Sequence, residues 1–478
     1  MKVIDKIRKN NFVRNSSNYF LGSIGTSAIT FLTIPIFTRL LIPHDYGQIS
    51  LFNSFLSVNT IIFSLGFVGA FSNKFLKEKE EFPTFVGTNL VFLFFVQAFF
   101  LIVLLLFNNY IANFFKIDKI ILILADISGI LMVEYQIYQS YLKVSLQSKK
   151  FVFLSFVYTI VNISLSILLI LLLKEKRYYG RIIGYLLGIL FVSIISFRHL
   201  FKLAEFKFEK RHLFYALGFG IPFIPHLAAQ FLLSASDRIV INQLTNSANT
   251  GLYSFAYSIG TIMAALAVAL ITAFIPAFYD YLKKGDYKAI NDKVRVLTDF
   301  IFLAAIFMIF FSKEIVMIMA DKKYYSALGI VPWIITGNVF FYFYMIYSVY
   351  ATYEKKTGVF SLFTILAGGI NISLNYLLIP HWGYKTAAIT TLISYILLFL
   401  FHYLNAKYIM KKKVIPIILN IKGFIVFLTF IPLELFLTDF FKSFIISFVS
   451  KLILLGIVGV ILFREQVVKY LKSVTDRV

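Results

Sequence analysis

The sequence predicts an all-α integral membrane fold: about 14 transmembrane helices, set as two parallel six-helix bundles with two further helices at the C-terminal end. Three observations predict it. The 478 residues are 59% hydrophobic and 14% charged, far from the balance of a soluble domain. The apolar residues fall in runs of about 17–25, the length that crosses a bilayer as a helix. The chain also echoes itself. Residues 149–166, KKFVFLSFVYTIVNISLS, return as 355–375, KKTGVFSLFTILAGGINISLN. Gly180-Arg-Ile-Ile-Gly answers Gly383-Tyr-Lys-Thr-Ala, and Gly47-Gln-Ile-Ser answers Gly251-Leu-Tyr-Ser. A period of about two hundred residues is too long for a solenoid unit. It fits a duplicated multi-helix membrane module, the usual build of a transporter with a site between its halves.

The apolar runs place the spans in order. Six lie near 17–38, 47–72, 85–107, 118–138, 151–173 and 181–200, and form the first bundle, residues 1–205. Six more lie near 213–235, 251–276, 297–318, 328–350, 358–380 and 385–404, and form the second, residues 206–410. Two additional spans, near 415–438 and 443–463, occupy 411–478 with a basic cytoplasmic tail. An even number of helices per copy inserts both copies the same way, so the repeat is parallel. The first apolar run is long for a signal peptide and lacks a small-residue cleavage site, so it is expected to stay as a span.

The formal charge of +23 would suggest nucleic acid in a soluble protein. Here Lys and Arg cluster in alternate short loops, roughly thirty on one side against roughly thirteen on the other, as cytoplasmic retention signals do. Both termini are therefore expected in the cytoplasm, and no nucleic-acid partner is expected. One loop runs against this orientation: Lys174, Lys176, Arg177 and Arg181 fall on the outer side. The absence of cysteine excludes disulfides and thiolate chemistry. No phosphate-binding loop, His-Glu-x-x-His or Gly-x-Ser-x-Gly occurs, and the six histidines show no ligand spacing. The expectation is no enzyme, no metal and no cofactor beyond a coupling H+ or Na+.

A charge at mid-membrane costs on the order of 2.5–3.5 kcal/mol on insertion scales, so each needs a reason. Asp126 and Glu134 share the fourth span; they are either an ion-coupling site or partners in helix–helix hydrogen bonds. Asp237-Arg238 closes the seventh span, and Arg39 holds the matching place in the first. Paired arginines at those mouths are suited to a phosphate, which Arg grips in bidentate fashion, or else they snorkel to the interface. Pro35, Pro222 and Pro225 bend spans and are candidate gating residues. His226 sits beside the second bend, either titrating near neutral pH or structural. Gln97, Asn162, Gln230, Asn338, Asn371 and Asn375 glue helices together or line a sugar-binding cavity. Glu434 and Lys451, in the last two spans, are read as structural or lipid-related, with each other as a candidate pair.

Four stretches, in order, resemble the polysaccharide transporter family, the O-antigen and lipid-linked oligosaccharide flippases of the multidrug/oligosaccharidyl-lipid/polysaccharide exporter superfamily. They are Thr38-Arg-Leu-Leu-Ile-Pro-His-Asp-Tyr-Gly, Ser236-Asp-Arg-Ile-Val-Ile, Gly251-Leu-Tyr-Ser-Phe-Ala-Tyr, and Leu374-Asn-Tyr-Leu-Leu-Ile-Pro with Gly383 and Ala387-Ala-Ile-Thr-Thr-Leu-Ile-Ser-Tyr. The resemblance implies a central cavity between the bundles, opening alternately to each side of a bacterial cytoplasmic membrane. It implies that undecaprenyl-diphosphate-linked oligosaccharide is translocated for surface polysaccharide synthesis, with membrane lipids and polysaccharide polymerase machinery as partners. It also implies Arg39 and Arg238 as diphosphate contacts; Asp126, Glu134, Asp237 and His226 stay, on the residues alone, candidate ion-coupling groups. Competing readings are a cation-coupled multidrug-type antiporter, which would want acidic groups deep in the first or seventh span, and a non-transporting partner of a glycan synthase.

Overall fold

A computed structural model describes residues 2–354, 357–416, 423–429 and 444–475, and these are helical with no strand among them. In chain order the helices are α1 (Lys2–Leu32), α2 (Ile34–Leu40), α3 (Pro43–Ser64), α4 (Phe67–Lys77), α5 (Phe82–Phe115), α6 (Lys119–Val144), α7 (Ser148–Leu172), α8 (Tyr178–Leu203), α9 (Lys210–Ser234) and α10 (Ser236–Leu244). Then follow α11 (Ser247–Lys284), α12 (Tyr287–Phe310), α13 (Ser312–Met319), a 3-10 turn (Lys322–Ile330), α14 (Val331–Tyr353), α15 (Thr357–Trp382) and α16 (Thr386–Leu404). A helical piece at 423–429, α17, precedes α18 (Phe444–Thr475).

Among the described residues, ten helices are long and apolar enough to cross a membrane, or up to twelve if each of two bent pairs is one span. The chain is a multi-pass membrane protein. The second and ninth spans are broken where a straight helix is expected. α3 and α4 meet at 47°, α12 and α13 at 63°. The first break is local chemistry: Leu65 (φ 46°) and Gly66 (φ 70°) are both left-handed, a conformation glycine adopts freely and leucine does not. The first span divides at Thr33, and Pro35 opens α2 at a position where a missing N–H costs nothing. Pro222 and Pro225, by contrast, lie inside α9, which continues through them. The expected thirteenth span lies largely outside the described residues.

The chain forms two compact units, Met1–Leu252 and Tyr253–Val478. In the first, Phe63, Phe67, Phe71, Phe82 and Phe85 pack with Tyr138 and Leu142 as a shared core of α3 to α6. Aliphatic burial separates such helices from lipid only weakly, since lipid tails are as apolar as leucine; close packing and polar contacts decide the pairing. α8 supplies the close packing. Gly180, Gly184 and Gly188 lie one turn apart and face α7, where a Cβ would meet the backbone at Ile170, Ser166 and Asn162 at 2.6, 2.5 and 2.9 Å. The opposite need is met on α5, which turns Phe94, Phe95, Phe99, Ile102 and Leu106 outward, as a lipid-facing surface does.

In the second unit, α12 packs on α14 and α18, and α14 on α16, with Phe302, Tyr342 and Tyr350 buried. Lys451 on α18 is fully buried and holds Glu314 of α13 at 3.0 Å. Lys451 thus pairs between α18 and α13; Glu434, its candidate partner from the sequence, lies outside the described residues. A buried cation needs its counter-charge, and Glu314, itself 6% exposed, supplies it.

Candidate functional site

Among its apolar clusters, the interior of the first unit carries polar contacts from helix to helix. α6 carries both carboxyls of the fourth span. Asp126 is buried and accepts a 2.7 Å hydrogen bond from Asn59 Nδ2 of α3. Glu134, two turns on, accepts from Gln97 Nε2 of α5 at 3.4 Å, and its second oxygen is buried without a hydrogen-bond partner. Each carboxyl therefore bridges two helices. Further along α6, Gln139 donates to Tyr135 Oη and Ser155 Oγ.

α7 and α8 add a cation. Nη1 of Arg181 donates to Asn162 Oδ1 at 2.5 Å and to Ser166 Oγ at 2.8 Å. Its guanidinium carbon stands 4.6 Å from the centre of the Phe37 ring of α2. The sequence suggests an outer-loop charge here, because Arg181 follows Lys174, Lys176 and Arg177. The structure turns it inward instead, while Arg177 stays exposed and donates to the Leu40 carbonyl. The signal for this was present in the sequence: Arg181 lies next to Gly180 on the glycine-spaced face of α8.

The paired arginines of the two copies share a habit. Nη1 of Arg39 donates to the Pro35 carbonyl at 2.8 Å, and Nη1 of Arg238 to the Ser234 carbonyl; each folds back on the residue four before it. Asp237 is buried at the start of α10. His226 contacts Gln230 at 3.1 Å, one turn along α9.

The two ends of α3 meet α9 and the start of α11 through glycine. A Cβ on Gly47 would collide with the Ser247 carbonyl, and one on Gly251 with the Pro43 carbonyl. These are the glycines that the repeat matches, and here they touch backbone to backbone, with Gln48 donating to Ser247 Oγ at 2.8 Å beside them. At the break between α3 and α4, a Cβ on Gly66 would lie 2.6 Å from the Gly220 carbonyl. Further on, a charged cluster gathers around the C-terminal end of α4. Buried Lys74 pairs with Glu78 and Glu81, and Arg211 reaches Glu81 at 2.9 Å and Glu209 at 2.7 Å. The Lys74 ammonium, hydrogen-bonded to Glu81, together with Glu78 and Arg211, holds the Glu81 carboxyl down at about 2. Arg211 and Lys207 likewise lower Glu209.

In the second unit, the second copy of the repeated motif forms its own buried network. Asn375 donates to Asn371 at 3.2 Å, Thr390 donates to Asn375 at 2.5 Å, and Thr391 stands within 3.5 Å of Asn371 and 3.3 Å of Tyr253. Asn338 donates to the Gly260 carbonyl at 3.2 Å. Among the described residues no group of three or more His, Asp or Glu is placed to hold a metal ion.

Comparison with known proteins adds to this picture. Residues 12–282 match a family described as "Polysaccharide biosynthesis protein". The chain is 27% identical over 358 residues to "Lsg locus putative protein 1" of Haemophilus influenzae, covering 69% of this chain and 84% of that protein. Its fold is similar to that of a structure titled "Lipid II flippase MurJ, inward closed conformation", with TM-score 0.73, 18% identity, and coverage of 94% of this chain and 99% of the other. It is also similar to an inward-facing multidrug resistance MATE family transporter of the MOP superfamily, with TM-score 0.61, 14% identity, and coverage of 81% and 96%.

Proposed function

The chain belongs to the polysaccharide biosynthesis protein family, and from that we propose that it is a flippase. Its substrate in this reading is an undecaprenyl-diphosphate-linked oligosaccharide, moved across the bacterial cytoplasmic membrane by alternating access, with both termini cytoplasmic. The observation that carries it is the set of polar contacts inside a unit whose outer surface is apolar: Asn59–Asp126, Gln97–Glu134 and Arg181–Asn162–Ser166 all lie between helices. A diphosphate-sugar head would cross hydrocarbon only at a prohibitive desolvation cost, whereas a polar route lets it pass with its polyprenyl tail still in lipid. The glycine contacts suit the motion. Backbone surfaces that meet without interlocked side chains part and re-form with little repacking, first at Gly47–Gly251 and then at Gly66–Gly220.

Arg39 and Arg238 are proposed to meet the diphosphate as it enters and leaves, and Asp126, Glu134, Asp237 and His226 to couple transport to H+ or Na+. Arg39→Ala with Arg238→Ala should abolish surface glycan and accumulate the lipid-linked precursor while the protein still reaches the membrane. Normal glycan in that strain removes the arginines from the pathway. The wild-type chain in proteoliposomes should carry the lipid-linked oligosaccharide between leaflets. The shared fold with the MATE transporter favours one second reading, cation-coupled export of small molecules. Ion-driven efflux of an organic cation with no movement of the lipid-linked sugar would establish that reading instead.

A further inference from the structure

Arg181 is an inward-turned cation with no carboxylate partner among the described residues. Its Nη1 is spent on two neutral acceptors, Asn162 Oδ1 and Ser166 Oγ, and one face of the guanidinium lies on Phe37. Asn162 and Ser166 are buried, and Phe37 is 6% exposed. Among the described residues no carboxylate pairs with it, and its side-chain hydrogen bonds both run through Nη1. An unbalanced charge inside a bundle is costly and calls for a partner.

A purely structural role does not account for the charge. The internal repeat aligns Asn162 with Asn371, Ser166 with Asn375, and Arg181 with Tyr384. The second copy packs α15 on α16 and satisfies its asparagines through Thr390 and Thr391, with no arginine at all. The helix pair can thus be built from neutral groups. In the first copy, the same asparagine and its serine neighbour instead orient a guanidinium and leave its outer edge open. That edge, with Nε and Nη2 side by side, is the geometry that takes two oxygens of a phosphate.

We infer that Arg181, held by Asn162, Ser166 and Phe37, is a receptor for a phosphate group inside the N-terminal half. Resting on the flippase reading, the phosphate belongs to the diphosphate of the translocated lipid; the chemistry is shared with free inorganic pyrophosphate. Arg39 and Arg238, which spend a donor on their own helix turns, then act before and after this station.

The test uses the full chain in phosphatidylcholine nanodiscs, with binding of undecaprenyl diphosphate and of inorganic pyrophosphate measured separately. Arg181→Ala should weaken undecaprenyl diphosphate by about thirtyfold or more, the loss typical when one partner of a buried charge pair is truncated. Arg181→Lys should fall between, keeping charge without the fork. Asn162→Asp is the sharper variant, because it places a carboxylate where the amide oxygen now accepts at 2.5 Å. It should neutralise the arginine internally, keep or raise thermal stability, and lose diphosphate binding to a similar degree. If undecaprenyl diphosphate binds these variants as it binds wild type, the Arg181 site is wrong and the flippase reading stands. If wild type binds pyrophosphate through Arg181 but not undecaprenyl diphosphate, the anion site stands and the flippase reading falls. Binding of neither overturns both. Should Arg181→Ala fail to fold, Asn162→Asp and Arg181→Lys decide the matter alone.

Discussion

Glu81 shows how one side chain ties three helix ends. It sits between α4 and α5, accepts from Lys74 at 3.0 Å and meets Arg211 of α9 at 2.9 Å. Those cations hold its carboxyl at about 2 against an ordinary 4.5. A depressed carboxyl contributes stability that is present above its unfolded value and lost as pH falls through its folded value. Thermal stability should therefore drop as pH is lowered from about 4.5 towards 2, and Glu81→Gln should flatten that part of the profile; an unchanged profile would remove Glu81 from the clasp. Residues of this kind were poorly legible in the sequence. Lys74 reads as one more basic loop residue, and nothing local says that it is buried with two glutamates. Asp126 and Glu134 were legible as anomalies because a carboxyl in an apolar run has to be explained. Their partners Asn59 and Gln97 come from other helices, which no spacing along the chain reveals.

At the scale of elements, the bend between α3 and α4 is the feature that a hydropathy pattern misses. Apolar periodicity runs straight through Leu65-Gly66, because a left-handed pair changes the backbone and not the composition. Gly66 alone hinted at it. The same element makes the backbone contacts at Gly47 and Gly66 with α9–α11, and these are open to test. Gly47→Ala should force α3 away from the start of α11, since the new methyl would collide with the Ser247 carbonyl. The expected outcome is transport reduced about tenfold or more, as a misplaced element far from the chemistry can do, with unchanged membrane insertion. It would be read as leaflet exchange in proteoliposomes and as new reagent access to a cysteine placed at Gln48. Unaltered access would show that this contact does not gate.

At the scale of the whole molecule, the repeat was the most informative signal in the sequence. It predicted a duplicated helical membrane build, and the matched pairs found one another in space or in habit: Gly47 touches Gly251, and Arg39 and Arg238 fold back alike. What it could not show is divergence between copies, since Arg181 opposite Tyr384 is a small difference in letters and a large one in charge. Same-way insertion of the copies predicts that single cysteines at Asn162 and Asn371, introduced into a chain with none of its own, are labelled from the same face of the membrane. Labelling from opposite faces would contradict the parallel arrangement.

The Lys451–Glu314 bond has a bearing on how such chains diversify. A recombinant that imports a foreign tail beyond residue 410 strands an acid in hydrocarbon unless the newcomer also brings a base to the same depth. Exchange of that tail between relatives is therefore expected to succeed only when both charges, or neither, travel together.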